Sequence, residues 1–269
     1  MLDEDVRYEA ISAALGSSVR PLAEFQRANQ GKTPDNLLTV DGFLIGAALG
    51  VGSLLDWLNP VSWVDWMFSF ISVSEIRKQT ASATEFYIDE DKFFDRQFDH
   101  DFTQTSDTQD FKRGGEKYTR PCGWYRIALK VLDKYGDNTW LGPNGIRTQS
   151  SAGEWPVSYH GSSKDGAEGI IVSHYKAGNN SKRQVYGRGI YSTPDLEQAR
   201  GYANVFVSKK NGKTYKIILQ NRVNPDYREK HRRTEDYWLV PVPEGSSETE
   251  ERKIVERAIR PYGILIKEV

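Results

Sequence analysis

The residues best suited to chemistry lie in the second half of the chain. They are Tyr159-His160-Gly161-Ser162, Gly187-Arg188-Gly189-Ile190-Tyr191, Tyr202, and the adjacent carboxylates Glu235 and Asp236. A Gly-x-Gly stretch invites a phosphate-loop reading. A dinucleotide fingerprint needs Gly-x-Gly-x-x-Gly between a strand and a helix, but Ser192 stands three positions after Gly189. A P-loop needs Gly-Lys-Ser/Thr, which is absent here as well. The glycines therefore read as backbone that turns tightly and approaches something closely. Tyr191 is then held at a fixed place beside a cleft. Each residue also has a plainer reading. His160 alone fits a core histidine bonded to a carbonyl, Tyr202 a helix core residue, and Glu235 and Asp236 solvated carboxylates at a strand start.

The elements that must position these residues can be read from the chain around them. Residues 157–161 (VSYHG) are a short β-like run. Residues 162–178 carry capping candidates and an apolar face and stop at Gly178, which predicts a helix. Residues 179–189 are a polar loop. A second helix follows within 192–203, with Thr193 as cap, Pro194 at the first helical position, and Asp195 and Glu197 at the positive helix end. Residues 214–223, 236–242 and 259–269 have the β-branched and aromatic character of strands. This order predicts an α+β fold and not a repeating βαβ sheet.

The first half reads differently. Val6, Ile11, Leu15, Val19, Leu22 and Phe25 predict one helix over residues 4–28. Residues 42–73 are apolar, but the uncharged run from Gly42 to Leu55 is 14 residues, short of the ~20 needed to span a bilayer. A buried helical hairpin or a membrane-surface segment anchored by Trp57, Trp63 and Trp66 fits it. Residues 85–111 alternate acids with aromatics and read as an extended acidic connector, partly ordered by phenylalanine contacts. Asp95, Asp99, His100 and Asp101 match neither a calcium-loop nor a zinc-helix spacing, so no metal is expected. Residues 126–136 read as a short helix or strand.

Composition bounds the possibilities. The chain has 269 residues, 38% hydrophobic and 12% aromatic. It can bury a sizeable core as one large domain or two small ones. Residues 1–110 hold 8 Lys/Arg against 19 Asp/Glu, a net of −11, and the remainder carries +10. The split predicts a boundary near residue 110, with an anionic ligand for the basic half. The acidic half is expected to cover the basic half and lower its activity. Cys122 is the single cysteine, which excludes an internal disulfide and a cysteine-built zinc site and suits a reducing compartment. The polar start MLDEDVRYEA is not a secretory signal, so a cytoplasmic or nuclear location is expected.

In combination, His160-Gly161-Ser162, Gly187-Arg188-Gly189-Ile190-Tyr191 and Tyr202, eleven positions beyond Tyr191, resemble ADP-ribosyltransferase catalytic domains of the diphtheria-toxin and poly(ADP-ribose) polymerase type, tankyrase-like ones in particular. The resemblance covers about residues 155–269 within a catalytic region 111–269, and none of residues 1–110. It implies a split antiparallel β-sandwich with flanking helices; the pattern of residues 1–110 separately predicts a mainly helical acidic region before it. It implies NAD as substrate, with nicotinamide released and ADP-ribose moved to a macromolecular acceptor. His160 would bond a ribose hydroxyl, and Gly161 would present its backbone to the nicotinamide amide, with Ser162 and Gly189 beside it. Tyr191 and Tyr202 would wall the nicotinamide ring. One of Lys182, Arg183 and Arg188 would hold the pyrophosphate, an arginine bidentately.

Cleaving the nicotinamide–ribose bond builds positive charge on the ribose, as in glycoside hydrolysis, and a carboxylate beside that carbon stabilises it. The family glutamate precedes a Tyr-hydrophobic run. Register places Asp236 there, with Glu235 one position earlier. Ala199 replaces a serine that bonds the nicotinamide amide in the polymerases. The Asp236 register and the absence of an evident polymer-acceptor insertion imply mono transfer, with a weak NAD- or ADP-ribose-binding module or an NAD glycohydrolase as alternatives. An effector whose segment 42–73 engages a membrane or partner is a further one. A protein acceptor is expected over nucleic acid, because no basic stretch is interleaved with aromatics.

Overall fold

The computed structural model describes residues 2–40, 42–43, 47, 85–107, 109–142, 149–161, 189–232, 236–243 and 246–269. The fold is mixed α+β, built on a six-stranded antiparallel sheet with smaller sheets and few helices.

In the main sheet, β3 (His100–Asp101), β6 (Tyr125–Ala128), β13 (Ile259–Glu268), β10 (Thr214–Val223) and β7 (Val157–His160) lie side by side. A sixth strand, β9 (Asn204–Val207), pairs with the first half of β10 while β7 pairs with its second half. The apolar runs of β10 and β13 explain their central place, since both faces of each are covered. Cross-strand partners share a face. Ile217↔Ile266 and Leu219↔Ile264 therefore point one way and Ile218↔Leu265 the other. The first set joins the largest core cluster, and the second packs with Trp124, Val157, Tyr159 and Leu196. Pro261 sits within central β13 because the register shifts beside it, and such irregularities are where a ladder tolerates proline.

A three-stranded antiparallel sheet, β11 (Glu229–Arg232), β12 (Asp236–Pro241) and β8 (Gly189–Ser192), lies against the end of the main sheet. Ile190, Trp238 and Val240 pack there on Val223 and Ile259. Two backbone hydrogen bonds join the sheets, Tyr159 N to Thr193 O (2.7 Å) and Thr193 N to Tyr159 O (3.0 Å).

The first half departs from its sequence reading. The single helix expected over 4–28 is α1 (Glu4–Leu15), a strand β1 (Ser18–Pro21) and α2 (Leu22–Ala28). Gly16, at φ 74°, ends α1 in the left-handed conformation, a common helix stop. β1 pairs in parallel with β2 (Glu85–Ile88). The acidic connector is likewise structured. It contains β2, the short helix α3 (Glu90–Phe93) and β3. Its phenylalanines 86, 93, 94, 102 and 111 are buried. The expected ordering by phenylalanine contacts extends to regular elements, because acids alternating with aromatics give an element one wet face and one buried face. Most of the apolar segment 42–73 and the helix expected over 162–178 lie outside the described residues. No described helix is long and apolar enough to cross a membrane.

Short two-stranded β4 (Phe111–Arg113) and β5 (Glu116–Tyr118) lead into β6, so residues 126–128 are strand and not helix. The second predicted helix is α4 (Leu196–Arg200). Its cap is Asp195, whose Oδ1 accepts from the backbone N–H groups of Glu197 (2.8 Å) and Gln198 (3.3 Å). Thr193 accepts from Asp195 N instead (3.1 Å). Helix α5 (Glu248–Ala258) was not expected. Its signal was present as a capping box: Ser247 Oγ accepts from Glu250 N (3.3 Å), and the Glu250 carboxylate accepts from Ser247 N (2.8 Å).

Candidate functional site

The joint between the two sheets forms a narrow cleft. Tyr159, His160 and Gly161 enter it from the end of β7, and Tyr191, Ser192 and Thr193 from the end of β8. Ala199 and Tyr202 come from α4 and the turn after it, and Tyr237 from β12. Four sequence-predicted residues, His160, Gly161, Tyr191 and Tyr202, thus share one cleft. As it stands the cavity holds about 10 Å³, room for roughly one water.

His160 is 3% exposed. Its Nδ1 lies 2.7 Å from the Tyr191 carbonyl oxygen. A carbonyl can only accept, so Nδ1 carries the proton. Burial lowers the imidazole pKa from its ordinary value, and the bond to Tyr191 offsets this in part. The ring is therefore neutral near pH 7, and Nε2 is a bare lone pair. Nε2 is buried without a hydrogen-bond partner among the described residues. Such a group is costly and is suited to receive a hydroxyl proton from a ligand.

Gly161 and Gly189 both stand where neighbouring backbone approaches closely. A Cβ on Gly161 would meet Tyr202 O at 2.5 Å and Ala199 O at 2.7 Å, so the turn after α4 sits directly on β7. A Cβ on Gly189 would meet Val240 O at 2.2 Å. Only glycine lets β8 lie this close to β12 at this point.

The aromatic walls come from three tyrosines. Tyr191 and Tyr237 meet edge to face, with centroids 6.4 Å apart at 80°. The hydroxyls of Tyr202 and Tyr237 are 3.2 Å apart, within hydrogen-bonding distance.

The carboxylates are placed otherwise. The ladder pairs Leu239 with Tyr191 and Trp238 with Ser192. Side chains alternate along a strand. Tyr237 and Leu239 thus share the Tyr191 face, and Asp236 shares the Trp238 and Val240 face. Asp236 lines a neighbouring hollow of about 340 Å³ together with Glu116, Asp195, Lys230 and His231. Tyr237 is the wall between this hollow and the cleft, since it lines both. Burial opposes ionisation of Glu116, but hydrogen bonds from Lys230 and Arg228 outweigh it and hold the carboxyl below its usual range. Glu235, Ser162, Lys182, Arg183 and Arg188 lie outside the described residues.

No protein-family model matches the chain, and no curated protein matches it either.

Tyr237 was not singled out by sequence. Its signal was the alternation in Asp236-Tyr237-Trp238-Leu239-Val240, which puts Tyr237 and Asp236 on opposite faces once the strand is recognised. The acidic cluster considered for metal is occupied structurally. Asp99 accepts from Arg7 Nη2 (2.7 Å) and from Ala128 N (2.8 Å).

Proposed function

We propose that the chain is an NAD-dependent mono-ADP-ribosyltransferase, built on a split antiparallel β-sandwich of the ADP-ribosyltransferase kind. The observation that carries this reading is the neutral, buried His160. Its Nδ1–H is committed to the Tyr191 carbonyl and its Nε2 is left as an unfilled acceptor in a tyrosine-walled cleft. Most buried side-chain polar atoms have a hydrogen-bond partner, so the open acceptor is what points to a ligand.

NAD would supply the ADP-ribose and nicotinamide as leaving group. His160 Nε2 would accept from a ribose hydroxyl and fix its orientation, which matters because misplacement by ~1 Å can cost about a hundredfold in rate. Tyr191 and Tyr202 would hold the flat leaving group between aromatic faces and exclude water. Asp236, in the adjoining hollow, would act on the acceptor by taking its proton, since general bases work within hydrogen-bond reach of the group they activate. With no acceptor in place, water would take the ADP-ribose and the outcome would be NAD hydrolysis.

A second reading is favoured by one observation. Asp236 faces away from Tyr191 along β12, which would leave a module that binds NAD or ADP-ribose with little transfer. Nicotinamide release from labelled NAD separates the two readings, measured for the native chain, Asp236→Asn and Glu235→Gln. Release lost in Asp236→Asn with NAD still bound assigns the transfer step to Asp236. Loss in Glu235→Gln alone moves that role to Glu235. Binding without release by the native chain supports the module. Digesting the labelled product with protease or nuclease identifies the acceptor class.

A further inference from the structure

The cleft as it stands has room for about one water, so a ring cannot be seated until something moves. Most of its lining is held firmly. Tyr159, His160, Tyr191, Ser192, Thr193 and Ala199 are each 6% exposed or less. Tyr159 and Thr193 are tied by the two backbone bonds that join the sheets. Tyr202 and Tyr237 are different, because both are partly exposed. They come from separate elements, and their hydroxyls meet at 3.2 Å across the cleft. Tyr237 also separates the cleft from the 340 Å³ hollow.

We propose that the Tyr202–Tyr237 hydroxyl pair is the door of this cleft, and that Tyr237 is a positioning and specificity residue for a flat ring bearing a carboxamide. This rests on the nicotinamide reading above and adds the residue that selects the leaving group. Parting the two hydroxyls opens the cleft into the hollow. It also breaks the hydrogen bond between them. A carboxamide carries both an N–H donor and a carbonyl acceptor. It can bond both hydroxyls at once, whereas a bare pyridine ring leaves at least one without a ligand partner.

The test uses the full chain with Tyr202→Phe, Tyr237→Phe and the double variant, none of which removes a ring. Tyr215→Phe, which loses a hydroxyl bond to Asn211 (3.0 Å) elsewhere, is the control. The first readout needs no ligand. Reaction of His160 with diethyl pyrocarbonate, located by peptide mapping, reports how often the cleft is open. Each single variant is expected to raise this rate about two- to tenfold, the range for one neutral hydrogen bond. The double variant should go no further than the larger single effect, because both remove the same bond. An unchanged rate in both single variants, or effects that multiply in the double variant, overturns the door. The second readout is affinity for nicotinamide against pyridine. The native chain should prefer nicotinamide, and the preference should shrink in each single variant. Preference unchanged in Tyr237→Phe overturns the specificity role. Faster His160 reaction with no binding of nicotinamide or NAD by any of the proteins keeps the door and overturns the nicotinamide reading.

Discussion

His160 links structure to pH in a definite direction. Its folded pKa is depressed below 6.5, chiefly by burial, while in an unfolded chain the ring titrates near ~6.5. Above that value the ring is neutral in both states and contributes no pH dependence. As pH falls below it, the unfolded chain takes up a proton that the folded chain resists. The His160 contribution to stability is therefore present above the unfolded pKa and is lost progressively as pH falls toward the folded value. Ligand binding follows the folded value, because protonation removes the Nε2 lone pair. The acid limb of NAD binding is expected below pH 6.5, and His160→Gln should abolish that limb and weaken binding tenfold or more. An acid limb at or above pH 6.5 in a binding titration contradicts the assigned tautomer. At this scale the sequence was informative. His160, Gly161, Tyr191 and Tyr202 were named from motif and spacing and meet in one cleft. The tautomer and the orphaned Nε2 were not legible, since both depend on a carbonyl 31 residues away in the chain.

At the scale of elements, the site depends on how β8 lies against β12. Their backbones approach so closely at Gly189 that a methyl group would fall 2.2 Å from Val240 O. Gly189→Ala is expected to push the strands apart and to cost about 1–3 kcal/mol, the range for overpacking a buried site. Thermal denaturation would show it as a lowered Tm, with Tyr191 and Tyr237 drawn apart and nicotinamide affinity reduced. Wild-type Tm in Gly189→Ala would mean the strands adjust freely. The same pairing decides which carboxylate can act where. Strand character over 236–242 was evident from composition, and the observed strand is Asp236–Pro241. Its pleat was the missing step, because period-two alternation assigns faces only after a partner strand fixes one of them. Helix α4 was anticipated two residues early, because Thr193 and Asp195 are both good caps and only the observed bonds distinguish them.

Across the whole molecule, the N-terminal region and the sheet share a core. Val6, Ile11, Phe86 and Phe93 belong to the same buried cluster as Ile127, Ile217, Leu219 and Ile264. Within the N-terminal region Arg7, 1% exposed, reaches Asp99 at 2.7 Å, and across to the basic half Asp5 pairs with Lys210 at 2.6 Å and Glu9 accepts from Lys209 N at 2.8 Å. The acidic residues do meet the basic half, but they do so at the rim of a common core. Removal of residues 1–110 is therefore expected to unfold the chain and not to release a brake on activity. A truncated chain with a cooperative melting transition and native-like circular dichroism would contradict this. Arg7→Ala leaves Asp99 partly buried without its cation and should destabilise by about 3–5 kcal/mol, the range for breaking a buried ion pair from one side, read from urea denaturation. By itself the sequence determined the α+β class, the strands β10, β12 and β13, and the grouping of His160, Tyr191 and Tyr202. The class and the strands follow from local periodicity and turn chemistry, which act over a few residues, and the grouping follows from the resemblance of the motifs to a known family. Only the tertiary structure decided the face of Asp236, the Tyr202–Tyr237 pair, the protein contacts of Gly161 and Gly189, and the burial of the N-terminal aromatics. Each of those is set by backbone or side-chain atoms far apart in the chain, brought together when the sheets close on a common core.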